Sequence, residues 1–391
     1  MVDEAYGCFD DAAVAPLVDM GDGHYLLELF HGPTLAFKDV AMQLLARLMD
    51  DALVRRGQRA TIIGATSGDT GGAAIEAFRG REAVDVFILF PHGRVSDVQR
   101  KQMTTPTDAN VHTLSIDGTF DDCQALVKDM FNDTPFRDAM GLAGVNSINW
   151  ARVMAQITYY FTAAAALGAP DKPVAFSVPT GNFGDVFAGY VAAQMGLPIA
   201  QLMVATNVND ILARTMQSGV YETGEVVATS SPSMDIQVSS NFERLLFEVT
   251  GRDAERVRGY MQALKQGGRF EMAEAELQLM RALFAAERVD ETETAEVMRS
   301  VQQQCGFQID PHSAVGVGAA RRAALPDNVP MVTLATAHPA KFPKAVEAAY
   351  QAAPETPARV TEMLDRPEKF TELPNQLSAV QAFIRSQARV G

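Results

Sequence analysis

The sequence predicts an α/β protein of two lobes, in which mainly parallel sheets carry helices on both faces. Short apolar runs alternate with helical segments through most of the chain, which is the order of elements in parallel α/β folds. Several runs are apolar at nearly every position, as parallel strands buried on both faces are. The length of 391 residues also exceeds what one compact core usually needs, so two domains are expected.

The smaller lobe is predicted at residues 40–150, and the larger lobe at 1–39 together with 151–391. A strand is expected at 25–30. A helix then begins at Lys38, because apolar residues recur at helical spacing until Gly57. Beyond it, strands and helices alternate, with strands at 60–63, 84–90 and 111–116 and helices at 73–78, 96–103 and 119–131.

The larger lobe is predicted to repeat this alternation after residue 150. Its elements are a helix at 150–167, a strand at 174–178, a helix at 186–195 and a strand at 199–205. Residues 206–250 are rich in Ser, Thr and Asn. Residues 253–299 are predicted to be a charged helical stretch, and the simplest explanation of its charges is a solvated face. The chain returns to the core at 313–320 and at a strand over 331–336, and it ends in helices.

Composition excludes several classes of partner. The net charge of −15 argues against nucleic acid or an anionic membrane surface. Cys8, Cys123 and Cys305 are widely separated without metal-ligand spacing, so no metal site and a reducing compartment are expected. No apolar run approaches membrane-spanning length and the N-terminus has no signal-peptide core, so the cytoplasm is the expected location.

Lys38 is the first candidate for chemistry. It follows Phe37 at the first turn of a predicted helix, within His31-Gly-Pro-Thr-Leu-Ala-Phe-Lys38-Asp39. The helix dipole is positive there and the apolar neighbours reduce hydration, so both effects disfavour the ammonium form. A neutral amine is what a Schiff base to an aldehyde cofactor requires. Taken alone, an ordinary surface lysine is the favoured explanation, and only the rest of the chain can overturn it.

The loop Thr180-Gly-Asn-Phe-Gly-Asp185 has the features of a phosphate site. It follows a predicted buried strand and opens a helix, where backbone N–H groups and the positive end of the dipole converge. The sequence is neither a Walker loop nor a dinucleotide-binding G-x-G-x-x-G motif. A tight turn that requires glycine explains it equally well.

A second loop between a strand and a helix, Ser67-Gly-Asp-Thr-Gly71, suits a carboxylate. Backbone donors and the hydroxyls of Ser67 and Thr70 can bind the two oxygens. The alternative is that Asp69 or Thr70 simply caps the next helix.

Two more stretches carry polar groups near expected element ends. Asn146, Ser147 and Asn149 precede Arg152 at the start of a helix, and arginine is a natural partner for a second anion. A capped helix with a surface ion pair is the simpler explanation. Thr336 ends an apolar strand, where ligands bind in open α/β sheets, and its hydroxyl could face a ring nitrogen. An amine, a phosphate loop, a carboxylate loop, an arginine and a hydroxyl together suggest pyridoxal 5′-phosphate.

Nearly end to end, the sequence resembles the threonine synthase family, a branch of the tryptophan-synthase-β-like (type II) pyridoxal-phosphate enzymes. The matching motifs are the Lys38 segment, Gly64-Ala-Thr-Ser-Gly-Asp-Thr-Gly71, Pro91-x-Gly-Arg-Val-Ser96 with Gln99 and Gln102, Asn146-Ser-Ile-Asn-Trp-Ala-Arg152, Pro179-Thr-Gly-Asn-Phe-Gly-Asp185 and Thr336-Ala-His-Pro-Ala-Lys-Phe342. The resemblance implies the two-lobed type II fold. It also implies a lyase that converts O-phospho-L-homoserine and water into L-threonine and phosphate by γ-elimination and β-addition, the last step of threonine biosynthesis.

The resemblance also implies roles for individual residues. Lys38 carries the cofactor, Thr336 faces the pyridine nitrogen, and Asp69 lies at the cofactor rim, where many type II relatives have asparagine. The remaining roles are the cofactor phosphate site at Gly181, Asn182, Phe183 and Gly184, and the substrate site at Ser67, Thr70, Asn146, Ser147, Asn149 and Arg152.

Several expectations stay open at this point. Relatives usually carry a further N-terminal segment, so the chain is expected to be shortened, and it would be a monomer or a homodimer. A phospho-lyase that releases a keto acid, a hydroxy-amino-acid dehydratase and a non-catalytic relative are the alternatives.

Overall fold

The computed structural model describes residues 1–66 and 68–389. These divide into two compact units. The first contains Met1–Val14, Gly32–Ala151 and the chain from Thr356 onward, and the second contains Ala15–His31 and Arg152–Glu355. No helix among the described residues is long and apolar enough to cross a bilayer.

The elements are numbered along the chain. The strands are β1 (Leu17–Gly21), β2 (His24–Glu28), β3 (Ala60–Ala65), β4 (Val84–Pro91), β5 (Val111–Asp117), β6 (Leu142–Ala143), β7 (Val174–Pro179), β8 (Ile199–Thr206), β9 (Val220–Glu222), β10 (Arg269–Glu271), β11 (Phe284–Arg288), β12 (Met331–Ala335) and β13 (Thr371–Pro374). The helices are α1 (Val2–Tyr6), α2 (Lys38–Arg56), α3 (Asp69–Phe78), α4 (Asp97–Thr104), α5 (Phe120–Asn132), α6 (Thr134–Ala139), α7 (Trp150–Ala166), α8 (Gly184–Gln194), α9 (Ile211–Ser218), α10 (Phe242–Val249), α11 (Ala254–Gly267), α12 (Glu274–Arg281), α13 (Glu291–Cys305), α14 (Pro311–Ala320), α15 (Pro343–Tyr350), α16 (Ala358–Leu364) and α17 (Leu377–Gln387).

The first unit is built on a parallel sheet in the order β13-β5-β4-β3-β6. Every residue of β4 is buried, as a central strand covered on both faces requires. Alternate side chains point to opposite faces, so Val86 and Phe90 join a core with α2 and α3, while Phe87 and Leu89 join one with α5 and α17.

The second unit has a sheet in the order β1-β2-β12-β7-β8-β11, parallel except for the β1–β2 pair. Helix α14 is buried along its whole length. It lies close to the sheet because Gly316 has no side chain, and a Cβ built there would lie 2.8 Å from Thr333 Cγ2. Because β7 and β12 are parallel neighbours, the residues that follow both strands leave the sheet at the same edge.

The predicted α/β fold with mainly parallel sheets is therefore confirmed. Helix α2 begins at Lys38, and Gly57 ends it in the left-handed conformation with φ 61°. Helices α3 and α8 begin before the predicted starts, at Asp69 and Gly184.

The charged helical stretch predicted at 253–299 is helical only in part, and two strands within it were missed. The structure has α11, β10, α12, β11 and the start of α13 there. Gly268, with φ 68°, ends α11, and the buried residues Phe270 and Phe284 belong to strands. Strand β13 was also missed, since the C-terminal part was predicted to contain helices only.

The two compact units differ from the predicted domain boundaries. Residues 1–14, residues 32–39 and the C-terminal part from Thr356 group with the first unit instead of the second. The division into a smaller lobe at 40–150 and a larger lobe at 1–39 plus 151–391 stays a prediction.

Candidate active site

Lys38 is a buried amine at the start of α2, with 8% of the residue exposed. Its Nζ lies 4.7 Å from the centroid of the Phe37 ring and 3.6 Å from Oδ2 of Asp69. Burial against the ring agrees with the predicted loss of hydration. The carboxylate acts in the opposite direction, because a negative charge nearby favours the ammonium form.

The turn before Lys38 is held by Asp39, which is fully buried. Its carboxylate accepts hydrogen bonds from the Thr34 backbone N and from Thr34 Oγ1, both at 2.7 Å. Gly32 is required at this place, since a Cβ there would lie 2.4 Å from the Cβ of Asp39. The spacing of these groups in the motif thus fixes where α2 begins and where its lysine lies.

The predicted carboxylate loop connects β3 to α3. Thr66 Oγ1 accepts hydrogen bonds from the backbone N of Gly68 at 2.9 Å and of Gly71 at 3.0 Å, which fold the loop back on itself. A Cβ on Gly71 would lie 2.4 Å from Thr66 Cγ2. Asp69 and Thr70 open α3, whereas Ser67 lies outside the described residues. Binding of a carboxylate here stays a prediction.

Gln99 is a member of this site to which sequence reasoning gave no role. Its Nε2 donates to Asp69 Oδ1 at 2.9 Å, and its Oε1 accepts from Ser96 Oγ at 2.9 Å. Ser96-x-x-Gln99 fits the capping-box pattern at the start of α4, which would turn the glutamine toward its own helix. Only the fold shows that its amide nitrogen also reaches Asp69.

The loop at residues 181–184, called here the 181–184 loop, connects β7 to α8. Phe183 has a left-handed backbone with φ 62°, and its buried ring packs against Phe242 and Phe284. A Cβ on Gly181 would lie 2.9 Å from the carbonyl oxygen of Ser233. The first N–H groups of a helix have no intrahelical acceptor, and phenylalanine has no oxygen to cap them. This end of α8 therefore suits an anion.

A distant segment fixes the peptide groups of the 181–184 loop. The Gly181 carbonyl accepts from Ser239 Oγ at 2.7 Å, and the Asn182 carbonyl accepts from Asn241 N at 3.1 Å and Nδ2 at 3.0 Å. In a trans peptide the N–H points away from the carbonyl, so the N–H groups of Asn182 and Phe183 face away from this segment. The sequence alone indicates only that residues 206–250 are rich in Ser, Thr and Asn. No local spacing of residues predicts these hydrogen bonds.

Arg152 lies on α7 and is buried, with 4% exposed. Burial lowers the pKa of its guanidinium to about 10, and the nearby Tyr159 opposes that shift. The group therefore stays charged at neutral pH. In the first unit, Asn149 Oδ1 accepts a hydrogen bond from Ala151 N at 3.0 Å. This bond is the helix cap that the simpler explanation of the segment predicted.

Asn146 is exposed and Ser147 is half-buried, both in the first unit. Whether Asn146, Ser147, Asn149 and Arg152 bind one anion stays a prediction.

Two tyrosines connect α7 to the start of α8. Tyr159 Oη donates to Asp185 Oδ1 at 2.5 Å, and Tyr160 Oη donates to the same oxygen at 3.0 Å. Burial, and secondarily the Asp185 charge, raises the pKa of both phenols well above the ordinary value. These bonds fix the helix immediately after the 181–184 loop.

Thr336 directly follows β12 and is buried, with 6% exposed. It leaves the sheet at the same edge as the 181–184 loop, since β12 neighbours β7. His338 accepts a hydrogen bond from Ala340 N at 3.1 Å and its ring meets the edge of Phe30, in agreement with a structural role.

The residues present fit a phosphorylated aldehyde cofactor. A buried amine is available at Lys38, and the start of α8 has no side-chain cap for its first N–H groups, so it suits an anion. No cluster of His, Cys, Asp and Glu suited to a metal occurs within residues 1–66 and 68–389.

Comparison with known proteins gives the same class. The family described as pyridoxal-phosphate dependent enzyme matches residues 20–337, and the family described as threonine synthase, C-terminal, matches residues 313–384. The chain is 52% identical over 392 residues to threonine synthase of Pseudomonas aeruginosa, covering 100% of this chain and 84% of the relative. It is 45% identical over 377 residues to the Saccharomyces cerevisiae threonine synthase, covering 88% and 73%.

A solved structure, the pyridoxal-phosphate-bound threonine synthase from Brucella melitensis, superposes with a TM-score of 0.98 at 62% identity. It covers 100% of this chain and 84% of that chain. Maize serine racemase, at 14% identity and a TM-score of 0.59, shares the fold alone.

The fold and the match over residues 20–337 define a pyridoxal-phosphate-dependent enzyme of type II, and pyridoxal 5′-phosphate is its cofactor. Within that class, the chain belongs to the threonine synthase family. The resemblance noted in the sequence is thereby confirmed.

Proposed function

We propose that the protein converts O-phospho-L-homoserine and water into L-threonine and phosphate, the last step of threonine biosynthesis. The observation that carries this proposal is the buried Lys38 amine beside Asp69 at the start of α2, in a chain of the threonine synthase family. Few lysines are buried, and one placed at a helix start next to a carboxylate suits a covalent cofactor link better than packing.

Lys38 has two tasks in this proposal. Its amine would hold the cofactor covalently, and as a free base the same amine would remove the proton from the substrate α-carbon. Bound pyridoxal phosphate supplies an electron sink for the carbanion chemistry. The Asp69 carboxylate, 3.6 Å from Nζ, helps to place the amine and balances its charge.

The proposal also assigns the cofactor phosphate and the pyridine nitrogen to residues of this chain. The 181–184 loop binds the cofactor phosphate through backbone N–H groups, and Thr336 presents its hydroxyl to the pyridine nitrogen. A hydroxyl does not hold that nitrogen fully protonated, as a carboxylate would. Less negative charge is then stored in the ring, which disfavours transamination and favours elimination.

The substrate contacts complete the proposal. Arg152, assisted by Asn146, Ser147 and Asn149, binds the phosphate of the substrate and stabilises it as it departs. The burial of Arg152 strengthens this interaction, because charge pairs are less screened away from water. Ser67 and Thr70 bind the substrate carboxylate.

The wider setting also belongs to the proposal. A cytoplasmic enzyme without nucleic-acid or membrane partners is supported by the net charge of −15. The chain would act as a monomer or a homodimer on its small-molecule substrate.

The decisive experiment mixes the protein with pyridoxal phosphate and O-phospho-L-homoserine, and measures both free phosphate and threonine. Equal amounts of the two products are expected. Phosphate released together with a keto acid would instead identify a phospho-lyase and overturn the proposal. Lys38→Ala is the matched control and should abolish both products and the visible absorption of the bound cofactor. Cofactor that borohydride still traps on this variant would refute the lysine assignment.

A further inference from the structure

A buried aspartate–histidine pair in the second unit has no part in the chemistry described so far. His312 is 3% exposed and Asp310 is fully buried. His312 Nδ1 lies 2.7 Å from Asp310 Oδ2, and His312 Nε2 accepts a hydrogen bond from the backbone N of Ser233 at 3.2 Å. The ring also packs against Phe342, with centroids 4.7 Å apart.

The contacts of Asp310 determine which ring nitrogen carries the proton. Asp310 caps α14, where its Oδ2 accepts from His312 N at 3.0 Å and its Oδ1 accepts from Ser313 N at 2.9 Å. A carboxylate used in this way accepts hydrogen bonds only, so the ring proton belongs on Nδ1. Nε2 is then a bare acceptor, which is what the Ser233 N–H requires.

Ser233 connects this pair to the 181–184 loop. Its carbonyl oxygen is the atom that a Cβ on Gly181 would meet at 2.9 Å, so the two backbones touch. The same segment continues to Ser239 and Asn241, which donate to the carbonyls of Gly181 and Asn182. His312 Nε2 therefore holds Ser233, at one end of the 233–241 segment, and the other end of this segment binds the 181–184 loop.

We propose that His312 is a positioning residue for the cofactor phosphate, acting through Ser233 on the 181–184 loop. The inference rests on the proposed assignment of that loop to the phosphate. Loss of the Nε2 acceptor removes the partner of the Ser233 N–H in a part-buried hydrogen bond, and a hydrogen bond of this kind contributes about 1 kcal/mol to holding the segment in place. The loop N–H groups then lose their alignment toward the phosphate, while the Lys38 amine in the first unit is untouched.

Two near-isosteric variants separate the nitrogens of the ring. His312→Gln can place an amide oxygen where Nε2 lies and keep the bond to Ser233, whereas His312→Asn places its amide near Nδ1 and loses that bond. Cofactor-free forms of the wild type and both variants are titrated with pyridoxal phosphate and with pyridoxal, which lacks the phosphate. Circular dichroism checks that each variant is folded.

The wild type should bind pyridoxal phosphate more tightly than pyridoxal. His312→Asn should weaken binding of pyridoxal phosphate about tenfold, the effect of one lost hydrogen bond, with pyridoxal unchanged. His312→Gln should stay close to the wild type. The phosphorus NMR resonance of the bound cofactor should move in the Asn variant only. If His312→Asn does not fold, His312→Leu replaces it, since leucine fills similar space without an acceptor.

A merely structural role would give a different result. Equal weakening for both ligands, equal weakening in the Gln and Asn variants, or an unchanged preference for the phosphate in the Asn variant would each overturn the inference alone. A wild type that binds pyridoxal as tightly as pyridoxal phosphate would overturn the loop assignment and the inference together.

Discussion

At the scale of single residues, Arg152 is a cation that the fold has removed from water. Its pKa falls to about 10 because of burial, yet the group remains charged at neutral pH. Arg152→Ala should lower kcat/KM for O-phospho-L-homoserine at least about 30-fold, since losing one partner of a buried charge pair costs about 2–5 kcal/mol. Phosphate release measures the effect. Arg137→Ala, which removes an exposed arginine paired with Asp138, is the control and should change little. Unchanged turnover by the Arg152 variant would contradict its role.

Cysteine reactivity gives a second prediction at this scale. Burial, and secondarily Asp122, raises the pKa of the Cys123 thiol to about 11. At pH 8 only about one Cys123 side chain in a thousand would be a thiolate, and the residue is fully buried, so a reagent in solution does not reach it. Iodoacetamide at pH 8 should modify the exposed Cys8 and leave Cys123 intact until the protein is denatured, as peptide mass spectrometry would show. Equal labelling rates for Cys8 and Cys123 in the folded protein would disprove this.

At the scale of elements, helix α14 lies close to the sheet of the second unit because Gly316 has no side chain. Gly316→Ala should lower the free energy of unfolding by about 1–3 kcal/mol, because the added Cβ would lie 2.8 Å from Thr333 Cγ2. Gly259→Ala on α11, where a Cβ meets nothing within 4 Å, is the matched control. It should stabilise by up to about 1 kcal/mol. Urea unfolding curves compare the two, and equal midpoints would show that α14 can move away from the sheet.

The elements also show what the sequence could and could not predict. Gly57 ends α2 as expected and β4 is apolar throughout, because these features depend on local chemistry. The 253–299 stretch failed because Phe270 and Phe284, which belong to short strands, were counted as parts of a charged helix. Those strands form because β10 pairs with β9 and β11 pairs with β8. Their partners are distant in the chain, so the local sequence does not predict them.

The candidate site divides in the same way. The motifs at Lys38, Asp69 and Gly181 could be read as chemistry, since each joins a reactive or anion-binding group to a helix start. Gln99 and His312 could not, because their partners, Asp69 and Ser233, lie 30 and 79 residues away along the chain.

At the scale of the whole molecule, cofactor binding should stabilise the chain. A ligand that binds only the folded state at 100 times its Kd adds about 2.7 kcal/mol, which raises the melting temperature. Pyridoxal phosphate should therefore raise the Tm of the wild type in a concentration-dependent manner, as calorimetry would measure. In Lys38→Ala, where only the non-covalent contacts remain, the shift should be much smaller. An equal shift in both proteins would mean that Lys38 contributes nothing to binding.

The ties between the 181–184 loop and Ser239 and Asn241 have a practical consequence for protein engineering. Consider a chimera that takes the 181–184 loop from a distant homologue but keeps its own Ser239 and Asn241, which lie more than 50 residues downstream. Its loop and the residues that bind the loop would not have evolved together. Successful grafts should exchange both stretches together, although two helices, α8 and α9, and two strands, β8 and β9, lie between them in the chain.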